Sequence, residues 1–197
     1  SNFAIKHNIP VTQTVMGYST MKRDHSHFLG PIGGLGGKAA NNLAKQTDLA
    51  IAVGTKLADF TTGSWANFEN PDFSLVSVNV SRFDASKHLA QSVIGDAKVS
   101  LQELSNALGD WKAPDEWHKK SRDELKNWND YVDKESGPTN QELPSYAHAV
   151  GAIYRNSDPT DIAVTAAGGL VGEVVQIWRP KELNTHETEW GFSCMSY

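Results

Sequence analysis

HFLGPIGGLGGKAANNLAKQTDLAIAVGTKLADFTTGSWANF, residues 27–68, decides the fold. It reads as a glycine-rich loop, a short amphipathic helix, a buried strand, and a second loop rich in Gly, Thr and Asp. Gly30, Gly33, Gly34, Gly36 and Gly37 let the backbone turn sharply and approach other groups closely. After them Ala39, Ala40, Leu43 and Ala44 fall on one helical face, while Asn41, Asn42, Lys45 and Gln46 point away. Asp48 then precedes Leu49-Ala50-Ile51-Ala52-Val53, an unbroken apolar run ended by Gly54. Such a run predicts a parallel strand covered on both faces.

The glycines invite two nucleotide readings. A Walker A loop needs an earlier glycine and a Ser or Thr after its Gly-Lys pair. Here Ile32 stands at the first place and Ala39 at the second, so that motif fails. Gly34-Leu35-Gly36-Gly37-Lys38-Ala39 does fit G-x-G-x-x-A, with Asp59 about twenty positions on. That fingerprint should follow its strand directly, and the nearest strand expected is Val11 to Val15, well upstream. Packing glycines explain the loop better than a pyrophosphate cradle.

Outward from this stretch, 197 residues suit one large domain or one and a half ordinary ones, and an apolar content of 39% describes a globular chain with a core. The net charge of −5 offers no broad basic surface to nucleic acid or acidic membrane. No apolar run approaches membrane-helix length and no signal peptide opens the chain. A single cysteine, Cys194, excludes an internal disulfide and suits a cytoplasmic location. Ser1-Asn2 reads as a remnant of expression or processing.

Pro10 to Val15 reads as the first strand, followed by a loop with His25 and His27. An H-x-H pair can ligate metal, but no Cys or acidic cluster accompanies it, so loop-packing histidines are expected. Leu75 to Val80 and Ser92 to Ile94 are further strands. Asp96 caps a helix in which Ala97, Leu101, Leu104 and Leu108 share one face. The succession predicts a doubly wound parallel α/β sheet of about five or six strands over residues 10–108. From Trp111 to Gly137 charge is dense, with Trp117, Leu125, Trp128 and Val132 at helical spacing. This predicts a linker helix whose tryptophan stripe packs on a domain surface. A second helix starts at Pro144-Ser145 with Tyr146, Ala149, Val150, Ile153 and Tyr154 inward. Asp161 to Thr165 is a new strand running into Ala166-Ala167-Gly168-Gly169 and a helix over 171–178. Small residues at such a turn let an anion reach free backbone N–H groups.

The order G..G..G...AN..A...D..I.VG.....D.TTG....F resembles the central domain of thiamine diphosphate-dependent enzymes of the acetolactate synthase type. Gly33, Gly36, Ala40-Asn41, Ala44, Asp48, Val53-Gly54, Asp59, Thr62-Gly63 and Phe68 carry it. The resemblance runs over residues 10–108 and resumes from Asp161. Asn79-Val80, Phe83-Asp84-Ala85, Ala166 to Leu170 and Gly191 to Met195 are similar to family members that open a cyclic dione of myo-inositol breakdown.

The resemblance implies a Rossmann-like central domain at 1–109, linker helices at 110–160 and the truncated start of a cofactor-binding domain at 161–197. It implies thiamine diphosphate with Mg²⁺, the diphosphate contacted from Gly168, Gly169 and Leu170. Ser193, Cys194 and Met195 would hold the aminopyrimidine, Met195 supporting the bent cofactor. Ser196 departs from the usual glycine there. The family's Gly-Asp-Gly metal motif and its activating Glu do not occur in the sequence, so no residue is assigned a catalytic or metal-ligating role. The resemblance also implies a small-molecule substrate and a homo-oligomer when full-length. Three alternatives stay open: a carboligase with the same cofactor, a module holding FAD or an adenine nucleotide in the central domain, and a structural scaffold. The segment after Asp161 is expected to be poorly anchored, with Trp178, Trp190 and Phe192 uncovered.

Overall fold

In the computed structural model, residues 2–189 and 192–195 are described. The apolar run forms β3 (Leu49–Val53), which pairs in parallel with β4 (Ser74–Asn79), itself parallel to β5 (Gln91–Ile94). Registers run from Leu49 opposite Ser74 to Val53 opposite Val78, and from Val76 opposite Gln91 to Asn79 opposite Ile94. Central β4 buries Leu75, Ser77, Val78 and Asn79, whereas Leu49 and Ile94 on the flanking strands stay about half exposed. The double cover expected for β3 is therefore absent among the described residues. Short helices α3 (Asp59–Thr62) and α4 (Arg82–Ala85) connect these strands, and α5 (Ala97–Leu108) follows, with Asp96 accepting from Val99 N–H as its cap. Its Ala97, Leu101, Leu104 and Leu108 form the expected face, but only half-buried.

Ahead of this sheet, α1 (Asn2–His7) packs on α5, and β1 (Val11–Gln13) pairs in parallel with β2 (Phe28–Pro31). The chain is α/β with parallel strand pairs, as expected. The five strands over 11–94 are nevertheless divided between a two-stranded and a three-stranded sheet rather than joined in one. Pro31 ends β2 without an N–H to offer a further strand, and Gly33 at φ 109° turns the chain away. Because β2 runs straight into the glycine loop, the nucleotide fingerprint does follow a strand, contrary to the sequence reading.

The loop glycines are nonetheless occupied with protein contacts. A Cβ on Gly36 would lie 2.5 Å from Pro31 O, and one on Gly37 2.6 Å from Trp128 Nε1. Asn41, on α2 (Lys38–Ala44), locks the loop by accepting from Gly33 N–H at 2.9 Å and donating to Gly33 O at 3.0 Å. Asn67 donates to the same Asn41 oxygen at 3.1 Å. Asn41→Ala leaves these partners unpaired and should cost about 2 kcal/mol in urea denaturation. Asn42→Ala, which removes an exposed bond to Glu124, should stay within about 0.5 kcal/mol. Equal losses would contradict the locking role.

The spine is α6 (Asp115–Glu135). Its Trp117, Leu125 and Trp128 pack on Leu29, Ile32, Ala39, Ala40, Leu43 and Ala44, as the tryptophan stripe predicts. Further along, Val132 joins a second core with Val150, Val174, Ile177 and Trp178. Val150 comes from α7 (Tyr146–Asn156), capped by Ser145, Val174 and Ile177 from α8 (Leu170–Ile177), and Trp178 is the C-cap of α8. On α7 the inward residues are Ala147, Val150, Gly151 and Tyr154; Tyr146, Ala149 and Ile153 are exposed, contrary to expectation. Gly151 sets this face, because a Cβ there would lie 2.1 Å from Ser136 O. Among the described residues no helix is long and apolar enough to cross a membrane.

Candidate cofactor site

β6 (Ala163–Thr165) and β7 (His186–Thr188) pair in parallel, Ala163 opposite His186 and Thr165 opposite Thr188. The Thr165 and Thr188 hydroxyls meet at 2.8 Å across the pair. Both strands therefore deliver their following loops to the same end, where ligands of open parallel sheets bind. From β6 comes Ala166 to Gly169, leading into α8; from β7 comes the turn holding Ser193, Cys194 and Met195. Ala167 N–H donates to Cys194 O at 2.8 Å and ties the two loops together. The structure thus brings the two sequence-predicted groups into one place. The flanking Trp190, Gly191, Ser196 and Tyr197 lie outside the described residues.

Glu189, which sequence reasoning did not single out, shapes the second loop. Its carboxylate accepts from Phe192 N–H at 2.9 Å and Cys194 N–H at 2.8 Å, with Ser193 between them at φ 53°. An acidic residue shortly before a turn could have been read as such a clamp. On the first loop, Gly168 adopts φ 150°, and an added Cβ at Gly168 or Gly169 would meet nothing within 4 Å. Gly169 precedes α8 as its N-cap, so the N–H groups of the first helical turn lack intrahelical partners. Two unobstructed glycines before a helix N-terminus fit a diphosphate group. Leu170, Phe192, Cys194 and Met195 are exposed around it, Phe192 at 91%.

Of the aromatics expected to be uncovered after Asp161, Trp178 is covered, Phe192 is exposed as expected, and Trp190 lies outside the described residues. Trp178 is 7% exposed, and Val175 is completely buried beside Val15 and Val171. The cover over Trp178 comes from α6 and α7, which supply the surface expected to be missing.

His186 on β7 is buried with its ring edge-on to Tyr18 at 5.2 Å. Burial pushes its imidazole down to about 4 and also raises the Tyr18 phenol. The unfolded chain then takes up a proton at His186 below about pH 6.5 that the folded chain refuses. Stability should fall as pH drops from there towards about 4. His25 and His27, also lowered mainly by burial, act with the same sign. Urea midpoints of His186→Phe against the parent should show a flatter pH dependence over that window; parallel curves would contradict a neutral buried His186.

The H-x-H pair packs rather than gathers ligands: His27 lies on His118 at 4.3 Å, and its Nε2 is 3.2 Å from Asn8 Oδ1. Among the described residues no group of three or more His, Cys, Asp or Glu could hold a metal ion.

Residues 1–104 match the family model described as thiamine pyrophosphate enzyme, central domain. The chain is similar to the 3D-(3,5/4)-trihydroxycyclohexane-1,2-dione hydrolase of Geobacillus thermodenitrificans, at 34% identity over 216 aligned positions and 99% of this chain. The proteins of that name from Clostridium perfringens strain 13 and Clostridium tetani are 34% and 35% identical, over 100% and 99% of this chain. In each case the match covers 34% of the relative, so the chain spans about a third of the length of the curated relatives it matches.

Proposed function

This chain belongs to the thiamine pyrophosphate enzyme family, and from that premise we propose that the protein acts as a thiamine diphosphate-dependent hydrolase opening trihydroxycyclohexane-1,2-dione at a C–C bond. The observation that supports this reading is the similarity to hydrolases of that name, which extends over essentially the whole chain and beyond the central domain. Its place would be in myo-inositol catabolism, in the cytoplasm, as a homo-oligomer.

Residues 1–109 then serve as the central domain, 110–160 as the linker with α6 as its spine, and 161–197 as the opening of the cofactor domain. Bound thiamine diphosphate supplies an electron sink beside a substrate carbonyl. In this chain, the first-turn N–H groups of α8 would hold diphosphate oxygens, and Gly168 and Gly169 would let them approach. The turn at Ser193 and Cys194 would hold the aminopyrimidine through backbone groups, at Cys194 only through the second lone pair of its carbonyl since Ala167 N–H takes the first and Glu189 the Cys194 N–H, and Met195 would support the cofactor, with Glu189 fixing the turn. Exposed Leu170 and Phe192 exclude water once a facing surface covers them. Mg²⁺ beside the diphosphate would need oxygen ligands.

A carboligase is the second reading within the same cofactor class. A central-domain FAD or adenine nucleotide is less well supported, since Gly36 and Gly37 are occupied with Pro31 and Trp128. Supplying the protein at the length of its relatives with the cyclic dione, or separately with pyruvate and glyoxylate, and following products by NMR tests the proposal. Ring opening that requires thiamine diphosphate and Mg²⁺ is expected. Carbon–carbon joining without ring opening would overturn the hydrolase in favour of the carboligase.

A further inference from the structure

Away from the candidate cofactor site, a cavity of about 390 Å³ lies between β2, the preceding loop, α6 and the segment after α8. That is large enough for a small metabolite. Four cations line it, Arg23, Arg122, Arg179 and Lys181, against one lining carboxylate, Asp24. In a chain of net charge −5 this is a local reversal of sign. Only Arg179 has a carboxylate partner among the described residues, Asp133. Arg23 donates to Tyr154 Oη at 2.9 Å, Arg122 to the carbonyls of Ser26 and Phe28, and Lys181 sits over the Tyr154 ring at 5.2 Å. Arg179 is 9% exposed, and its buried Nε has no hydrogen-bond partner among the described residues. Phe28, Leu125 and Trp128 supply an apolar wall.

Arg179 is buried with its Nε unpaired, and half-buried Arg23 and exposed Arg122 and Lys181 converge on the same cavity without carboxylate partners, so a bound anion would satisfy the first and offset the mutual repulsion of the four. We propose that this cavity binds a small anionic molecule presenting a phosphate or carboxylate group to Arg23, Arg122, Arg179 and Lys181, with its carbon body against Trp128 and Leu125. The lining comes from the central domain, the linker helix and the segment following α8, so the ligand clamps these three together. No residue of the candidate cofactor site lines the cavity, and the inference does not rest on the proposed reaction.

Calorimetric titration of the 197-residue chain with inorganic phosphate and, separately, with citrate tests this, sodium chloride of equal ionic strength serving as the blank. Saturable binding tighter than about 1 mM is expected for at least one probe. Phosphate alone would identify a phosphate ester as the natural class, citrate alone a carboxylate, and both a shared oxyanion. Arg179→Gln and Arg122→Gln should each weaken binding about tenfold, the scale of one charge-assisted hydrogen bond. Circular dichroism checks that Arg179→Gln folds; Arg122, exposed on α6, gives a second variant that decides the matter if it does not. Absence of saturable binding by either probe, or unchanged affinity in the folded arginine variants, would overturn the proposal.

Discussion

Gly33→Ala is expected to destabilise the chain by about 4 kcal/mol, a large part of the stability of an ordinary domain. Gly33 adopts φ 109°, which an L side chain rarely takes, and an added Cβ would stand 2.0 Å from Phe60 O and 2.9 Å from Thr61 Cα. Both obstacles are backbone, so no side chain can swing aside. The bond from Gly34 N–H to Phe60 O, at 2.7 Å, pins the two segments against each other. Moving them would also pull Gly33 from Asn41, unfastening the loop from α2. Gly34→Ala is the internal control, because its Cβ would lie 3.8 Å from Phe60 O, an ordinary contact. It should cost no more than about 1 kcal/mol. Urea denaturation of both variants reads the difference; a Gly33→Ala as mild as Gly34→Ala would contradict the close approach of the two loops.

No local pattern announces that close approach, but other parts of the fold are legible in the sequence. A run of five apolar residues after Asp48 and leucines at helical spacing after Asp96 are local signals, and β3 and α5 lie where they point. Strand β2 was not legible, because Gly30 and Pro31 make half of it look like loop. Strand β7, His186-Glu187-Thr188, carries no apolar residue and exists through its pairing with β6. The exposed edges of the central sheet were misread for a different reason: an apolar run reports that a strand suits burial, not that a cover is present. On α7 a signal was available, since Gly151 inside a helix marks close approach, there to Ser136. Of the candidate site, the two loops were legible through resemblance and glycine content. The Ala167–Cys194 bond that joins them, the Glu189 clamp and the basic cavity depend on contacts distant in sequence, which no local pattern carries.

The second large effect concerns cofactor affinity. Gly169 has φ −65° and ψ −30°, ordinary helical values, and open space where a side chain would emerge. Gly169→Glu should therefore leave the fold intact, unlike a substitution at Gly168, whose φ of 150° makes it strained. The new carboxylate would stand at the α8 N-terminus, where the proposed diphosphate sits. Two like charges about 4 Å apart repel by roughly 4 kcal/mol at an effective dielectric of 20. The glutamate would also compete for the first-turn N–H groups.

The decisive measurement is the thiamine diphosphate affinity of Gly169→Glu in the protein at the length of its relatives, titrated by calorimetry with Mg²⁺ present. The secondary structure and urea midpoint of the variant should match those of the parent. The expected result is cofactor binding weaker by at least about a hundredfold with the fold unchanged. An affinity equal to that of the parent would contradict the placement of the diphosphate on Gly168, Gly169 and the start of α8.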